Sequence, residues 1–151
     1  MNSITVKSPL GPLIVGEGDG RIVALDWGTA NTESTTPLLA MAAQQLDAYF
    51  YCDLRMFDLP LAPTGTAFQQ LVWREMLRIP YGRTRSYADI ARDLDSAPRA
   101  IGGACGKNPI PIIIPGHRVL ASGDRLGGYS SPGGTDTKKF LLQLEGARRT
   151  A

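Results

Sequence analysis

The segment Pro115-Gly116-His117-Arg118-Val119 has the residue types best suited to chemistry. His117 is the only histidine in the 151-residue chain, and an imidazole placed beside a nucleophile can act as its general base. The neighbours of position 116 fit a site built around such a nucleophile, but Gly116 itself has no side chain. The segment therefore predicts a base without an attacking group.

Two cysteines, Cys52 and Cys105, are the remaining candidate nucleophiles. They lie far apart and have no histidine neighbours, so the spacing does not fit a zinc site, and we expect neither metal nor cofactor. Helical spacing places Cys105 on an inward helix face, where a small buried apolar role is expected. Cys52 follows an aromatic run and has no basic neighbour to activate it. We expect neither cysteine to replace the missing nucleophile.

The segment from Pro98 to Lys107 predicts a helix with an almost bare outer face. Its three glycines each cost about 1 kcal/mol relative to alanine, so a gain elsewhere must offset them. Apolar residues recur toward the core, which leaves Ala100, Gly103 and Lys107 outward. Such a face suits either the DNA minor groove, which is about 6 Å wide, or tight packing against another helix.

Charge is distributed unevenly along the chain. Residues 1–64 carry three basic and seven acidic side chains, whereas residues 65–151 carry thirteen basic and seven acidic ones. A basic second half indicates a polyanionic partner, although a merely solvated surface fits as well. No apolar run is long enough to span a membrane, and the start lacks a secretion signal, so we expect a cytoplasmic protein.

The first part of the chain predicts a small sheet and one helix. Short β-branched runs at Ser3–Lys7, Leu13–Gly16 and Arg21–Trp27 are separated by turn residues, which is typical of antiparallel strands. Helical spacing follows from Pro37 to about Tyr51. Residues 52–65 are expected to form an extended linker.

The second part predicts several capped helices. Thr66 with Gln69, and Ser86 with Asp89, are expected to cap two of them, while Ser96 and Thr135 are expected to cap two more. Two short helices joined by a tight turn form a helix-turn-helix, a frame that often binds DNA. The predicted fold class is α/β (α+β).

These motifs together resemble a known family. The sequence is similar to the O6-alkylguanine-DNA alkyltransferases in Tyr81-Gly82, Ser86-Tyr87, Arg99-Ala100-Ile101-Gly102-Gly103-Ala104, Asn108-Pro109, Pro115-Gly116-His117-Arg118-Val119, Gly128-Tyr129-Ser130 and Leu144-Glu145-Gly146. The resemblance implies a ribonuclease-H-like sheet domain over residues 1–62 and a winged helix-turn-helix DNA-binding domain over residues 63–151. It implies a monomer that acts on double-stranded DNA containing O6-alkylguanine.

The resemblance also implies residue roles. Tyr87 would rotate the base out of the duplex, and Arg99 would take its place in the stack. Asn108, His117 and Glu145 would form a polar relay that deprotonates the nucleophile. Further roles fall into two sets: Pro115, Val119, Tyr129 and Ser130 for binding the substrate, and Ala100, Gly102, Gly103, Lys107 and Arg118 for binding DNA.

The chain departs from the family at the acceptor itself, because the family cysteine belongs where Gly116 stands. We therefore expect lesion recognition without alkyl transfer. Three explanations fit the glycine: a natural lesion-flagging protein that hands damage to another repair system, an engineered exchange, or water activated by His117. A non-catalytic winged-helix regulator is the alternative from another class, although the outward helix face lacks base-reading side chains.

Overall fold

A computed structural model describes residues 1–129 and 131–149. The chain divides into two compact units, with the boundary between Thr64 and Gly65. Among the described residues, the structure contains no helix that is both long and apolar enough to cross a membrane.

The first unit is built on a three-stranded antiparallel sheet, as predicted. Its strands are β1 (Asn2–Val6), β2 (Leu13–Gly18) and β3 (Arg21–Trp27), in the order β1-β2-β3. Ile4 pairs with Val15, and Val15 pairs with Leu25, so one face carries a row of buried apolar side chains. Alternation of inward and outward residues fixes this register.

One helix covers the sheet of the first unit. Helix α1 (Pro37–Tyr51) begins after Thr36, whose side chain accepts a hydrogen bond from the Leu39 backbone at 3.1 Å. The expected linker is wrong in part, because residues 60–62 pair with β3. The Ile22 backbone donates to the Pro60 carbonyl at 2.8 Å and accepts from the Ala62 amide at 2.9 Å.

Within its described residues, the second unit contains four α-helices and a small parallel sheet. Its elements are α2 (Ala67–Leu77), β4 (Arg83–Ser86), α3 (Tyr87–Asp93), α4 (Pro98–Gly106), a 3₁₀ turn (Gly116–Arg118), β5 (Val119–Leu120), α5 (Thr135–Glu145) and β6 (Arg148–Arg149). Strand β4 lies between β5 and β6. Together with the antiparallel sheet of the first unit, these elements confirm the predicted α+β class.

Two of the four predicted helix caps are correct. Thr66 with Gln69, and Ser86 with Asp89, form reciprocal capping boxes. Ser96 does not cap α4, because Pro98 lies in the first turn and Ala97 occupies the cap position without a side-chain bond. Thr135 is the first residue of α5 rather than its cap.

Packing in the second unit orients the helices that carry the candidate site. The Trp73 indole nitrogen on α2 donates to the Ala104 carbonyl on α4 at 2.9 Å, inside the core. Ile101 and Ala104 are buried, which turns the opposite side of α4 outward. On α5, Lys138, Leu141 and Glu145 share the buried face.

Candidate functional site

A cavity of about 420 Å³ opens in the second unit. Small residues dominate its lining, so the backbone leaves room for a ligand. The lining residues are Tyr87, Gly102, Cys105, Gly106, Gly116, Gly128 and Tyr129. The cavity therefore brings together Tyr87 and Tyr129, for which the resemblance implies substrate binding, Gly116 at the implied acceptor position, and Gly102, for which it implies DNA binding. Ser130, the other expected lining residue, lies outside the described residues.

Gly116 leaves a gap where a side chain would fit. A Cβ built on it would lie 3.2 Å from Met76 Cε, 3.5 Å from Asn108 Nδ2 and 3.8 Å from Tyr129 Cε1. Only the contact with Met76 is tight, and that atom is the mobile end of a flexible side chain. The position would therefore accept a side chain with a small adjustment, and glycine keeps the space open.

His117, the next residue, forms a buried pair with Glu145. The His117 Nε2 atom lies 2.7 Å from the Glu145 carboxylate, and neither side chain is exposed. The expected contact between these two relay residues is thus present. Glu145 ends α5, where Gly146 follows in the left-handed conformation that closes the helix.

Burial dominates the electrostatics of His117. Its pKa is lowered by burial, and the charges of Arg118 and Lys138 act in the same direction, while Glu145 opposes the shift. The imidazole is therefore neutral at pH 7. Its Nδ1 atom is buried and has no hydrogen-bond partner among the described residues. A neutral ring with one free nitrogen can accept a proton.

The expectation that Arg118 contacts DNA is corrected by its position. Its side chain is buried, and its guanidinium donates to Glu145 at 2.8 and 3.1 Å and to the Ile79 carbonyl at 2.7 Å. Charged groups in a 3₁₀ turn need not face solvent when a buried carboxylate neutralises them. Arg118 therefore anchors Glu145.

Three further expected site residues do not line the cavity: Asn108, Pro115 and Val119. The Asn108 amide donates to the Ile114 carbonyl at 2.8 Å and accepts from the Ile110 amide at 3.0 Å, so it shapes its own loop. His117 and Glu145 are in direct contact, and Asn108 stays a predicted relay residue, since its Nδ2 atom would lie 3.5 Å from a Cβ on Gly116. Pro115 and Val119 are buried but are not among the described lining residues of the cavity.

The outer face of α4 is bare, as predicted. Arg99, Ala100, Gly103 and Lys107 are all exposed, while Gly102 is partly exposed at the edge of the cavity. A Cβ added to Gly102 would lie 3.9 Å from the Tyr87 ring. Gly102 thus connects the outer face of α4 with the cavity. Arg99 lies at the start of the same helix.

The expected core role of Cys105 is correct only in part, because this partly buried residue also lines the cavity. Its thiol contacts the Met76 sulfur at 3.7 Å. Burial raises the pKa of the Cys105 thiol to about 12, with the Lys138 charge opposing the rise. The thiol is therefore protonated at neutral pH.

Lys138, which is not among the site residues predicted from the sequence, is fully buried on α5. Its ammonium donates to the Val119 carbonyl at 2.6 Å and to the Gly128 carbonyl at 3.3 Å, and lies 5.8 Å from the centre of the Tyr87 ring. Burial lowers its pKa to about 8. Lys138, Leu141 and Glu145 follow one another at helical spacing, and this periodicity could have predicted that Lys138 lies on the buried face of α5.

The arrangement can hold a flat, partly polar ligand beside a neutral base. Tyrosine rings and glycine backbones line the cavity, and His117, bonded to Glu145, follows Gly116 in the chain. Within residues 1–129 and 131–149, no group of three metal-ligating side chains is close enough to hold an ion.

Comparison with known families accounts for nearly the whole chain. Residues 67–147 match the 6-O-methylguanine DNA methyltransferase DNA binding domain, and residues 1–63 match the ribonuclease-like domain of the same methyltransferase. The chain belongs to the 6-O-methylguanine DNA methyltransferase family, a family of DNA repair proteins.

Individual relatives agree with this membership. A constitutive methylated-DNA–protein-cysteine methyltransferase of Bacillus subtilis is 46% identical, covering 93% of each chain. A methyltransferase of the same name from Methanosarcina acetivorans is 42% identical, covering 93% of this chain and 96% of the relative. A crystal structure of Mycobacterium tuberculosis OGT in complex with DNA has a TM-score of 0.87 at 40% identity, covering 100% of this chain and 96% of that one.

Proposed function

We propose that this chain binds double-stranded DNA containing O6-alkylguanine and draws the modified base into the cavity beside Gly116. Because the acceptor position is a glycine, the chain does not take up the alkyl group itself. The observation that carries the proposal is the side-chain gap at Gly116, which lines the cavity next to an intact His117–Glu145 pair. The chain acts in this way as a cytoplasmic monomer without a cofactor.

The outer face of α4 supports a minor-groove interface within residues 63–151. Ala100 and Gly103 present almost no side-chain bulk, so the helix can approach a narrow groove closely. Lys107 at the far end is placed to neutralise a phosphate. A relative of known structure is in complex with DNA, which agrees with this interface.

The positions of two residues beside the cavity support extrusion of the base from the duplex. Tyr87 stands at its edge, and Arg99 is exposed at the start of the same helix that lines it. Extruding a base costs a few kcal/mol, and less where pairing is already weakened by damage. In this proposal Tyr87 rotates the base outward and Arg99 fills the gap that it leaves.

Cys105 does not substitute for the absent acceptor, although it lines the cavity. The thiolate is the nucleophilic form of cysteine, and a thiol with a pKa of about 12 contains almost none of it at neutral pH. His117 follows Gly116 directly in the chain and is bonded to Glu145, so position 116 is the site that this base would serve.

Two measurements test the proposal together. Competition binding compares duplexes that carry O6-methylguanine or guanine at one position, in several sequence contexts. We expect at least a tenfold preference for the lesion in every context. Equal affinity would rule out lesion recognition, and preference for one sequence regardless of damage would favour a regulator.

The second measurement is the intact mass of the protein after incubation with lesion DNA. The chain and its Gly116→Cys variant are compared, with Gly116→Ala as the control for adding a side chain. We expect a one-methyl gain in the cysteine variant alone. Methylation of the unaltered chain at Cys105 would contradict the assignment of the acceptor position.

A further inference from the structure

Lys138 is a buried cation that the proposed function does not use. Its side chain is fully buried on α5, and its ammonium donates to the Val119 carbonyl at 2.6 Å and to the Gly128 carbonyl at 3.3 Å. Both acceptors are neutral, so they do not compensate the charge. Lysines are almost never fully buried in proteins unless they are paired, so this charge requires an explanation.

The Lys138 ammonium links two residues that line the cavity. Gly128 and Tyr87 are both lining residues. The Nζ atom of Lys138 bonds to the Gly128 carbonyl and lies 5.8 Å from the centre of the Tyr87 ring. A cation within about 6 Å of an aromatic ring centre is attracted to the face of the ring. One charged group therefore reaches both walls.

The two contacts of Lys138 act on Tyr87 from different sides. A Cβ on Gly127 would lie 2.9 Å from the Tyr87 hydroxyl oxygen, so this segment packs closely against the ring. On the other side, the ammonium is bonded to Val119 in β5. Leu120 of β5 pairs with Ser86, which caps α3, and Tyr87 is the first residue of that helix.

Resting on the proposed function, we propose that Lys138 is a positioning residue for the lesion cavity. Its ammonium holds the Gly128 wall and the Tyr87 ring at the separation that an extruded guanine requires, and its charge strengthens both contacts. Lys138 acts through these neighbours, since it is not one of the lining residues itself.

The charge of Lys138 does not favour folding. Burial lowers its pKa to about 8, against an ordinary value of 10.5. The unfolded chain therefore holds this proton more tightly, so the charge opposes folding at pH 7, and stability should rise as the pH increases from about 8 to 10.5. A methionine would fill a similar volume without that cost, although it would not donate to the two carbonyls. A lysine at this position therefore favours a role in the cavity.

The protonation of Lys138 should be visible in lesion binding. The neutral amine still donates two hydrogen bonds, but it loses the charge that strengthens them and attracts the ring. The titratable and charged groups around it, on α3, α4, the 3₁₀ turn and α5, are Tyr87, Cys105, His117, Arg118 and Glu145.

These surrounding groups keep their charge states between pH 7 and 9. The raised pKa values of Tyr87 and Cys105 keep both protonated, and the lowered pKa of His117 keeps it neutral. The carboxyl group of Glu145, with a pKa of about 2, stays ionised beside the Arg118 cation. Within this set, Lys138 alone changes charge over the interval.

The first test measures the unaltered full chain at pH 7, 8 and 9. Affinity is compared for duplexes carrying O6-methylguanine or guanine at one position, and a 2-aminopurine beside that position reports extrusion of the base. We expect the lesion preference and the extrusion signal to fall at least threefold from pH 7 to 9, with the fall beginning near pH 8. The affinity for the intact duplex should change less than twofold.

The second test uses Lys138→Met, which removes the charge and keeps the length of the side chain. The matched control is Lys139→Met, because Lys139 is the next residue of α5 and is exposed. At pH 7 we expect Lys138→Met to lower the lesion preference at least threefold and to abolish its dependence on pH. Its melting temperature and its affinity for the intact duplex should match those of the control.

Three results would overturn the proposal. They are a lesion preference of the unaltered chain that does not change from pH 7 to 9, a full preference in Lys138→Met, and equal losses of lesion and intact-duplex binding in that variant. The first result requires no variant, so poor folding of Lys138→Met leaves the test decisive. Lesion preference that persists unchanged through all of these rejects the role of Lys138 alone. Absence of lesion preference in the unaltered chain at pH 7 rejects the proposed function and this inference together.

Discussion

Replacing Glu145 with glutamine should destabilise the second unit severely. The Glu145 side chain is fully buried, and its carboxylate accepts hydrogen bonds from His117 at 2.7 Å, from Arg118 at 2.8 and 3.1 Å, and from the Gly82 amide at 3.4 Å. Glutamine has nearly the same shape, but its amide is neutral and only one of its two terminal atoms accepts a hydrogen bond. The Glu145→Gln variant therefore leaves the Arg118 cation buried and uncompensated.

The magnitude follows from the pKa of this carboxyl group. Burial alone would raise it, but the hydrogen bonds from His117 and Arg118 and the charge of Arg118 outweigh burial and hold the pKa at about 2, against an ordinary value of 4.5. The difference corresponds to about 3 kcal/mol of stability at neutral pH. Breaking a buried ion pair costs about 3–5 kcal/mol in other proteins, which agrees.

The sign of the pH dependence is fixed by the lowered pKa. The unfolded chain binds a proton at Glu145 more readily than the folded chain, so this contribution is complete above about pH 4.5 and is lost as the pH falls toward 2. The stability difference between the parent and Glu145→Gln should therefore shrink steadily over that interval.

Urea unfolding monitored by Trp73 fluorescence measures both effects. A Trp27→Phe background removes the other tryptophan, so the signal reports on the second unit. The matched control is Glu75→Gln, because Glu75 pairs with Arg78 at 3.6 Å and the arginine side chain is 76% exposed. Such a surface pair contributes less than about 1 kcal/mol. The reasoning would be refuted if Glu145→Gln lost no more unfolding free energy at pH 7 than this control. It would also be refuted if the difference in unfolding free energy between the parent and Glu145→Gln did not change with pH.

Two further variants separate the roles of neighbouring residues. Lys107→Gln should reduce the slope of log affinity against log salt by about 0.9 without changing the melting temperature, since one phosphate contact is lost. Arg118→Gln should lower the melting temperature and leave the salt slope unchanged. A reduced slope with an unchanged melting temperature would instead place Arg118 at the DNA interface. Gly127→Ala should weaken lesion binding several-fold, because its Cβ would lie 2.9 Å from the Tyr87 hydroxyl. Gly123→Ala is the control, since it has a similar positive φ and open space, and equal losses would contradict this explanation.

Periodic elements could be predicted from the sequence because their patterns are local. The three strands, α1 and the two capping boxes depend on residues a few positions apart, and these predictions are confirmed. The Ser96 cap was wrong because Pro98 sets the first turn and leaves Ala97 at the boundary. At α5, Gly134 takes the cap position with a positive φ, which displaced the boundary by one residue from Thr135.

Side-chain direction in irregular segments could not be predicted in this way. Arg118 lies in a three-residue 3₁₀ turn, where no period distinguishes an outward cation from one bonded to a carboxylate 27 positions later. Cys105 lies at the border of the buried face of α4, so spacing alone could not separate core from cavity. Both outcomes depend on where α5 and the loops pack, which is tertiary information.

The buried network has a structural role that is independent of any acceptor. Glu145 joins the end of α5 to the 3₁₀ turn through His117 and Arg118, and to the start of β4 through the Gly82 amide. The chain needs this carboxylate to remain folded, whichever residue stands at position 116. A loss of activity in Glu145→Gln would therefore mix folding with chemistry. Only exchanges at Gly116, where the structure leaves space and requires no buried charge, can isolate the transfer step.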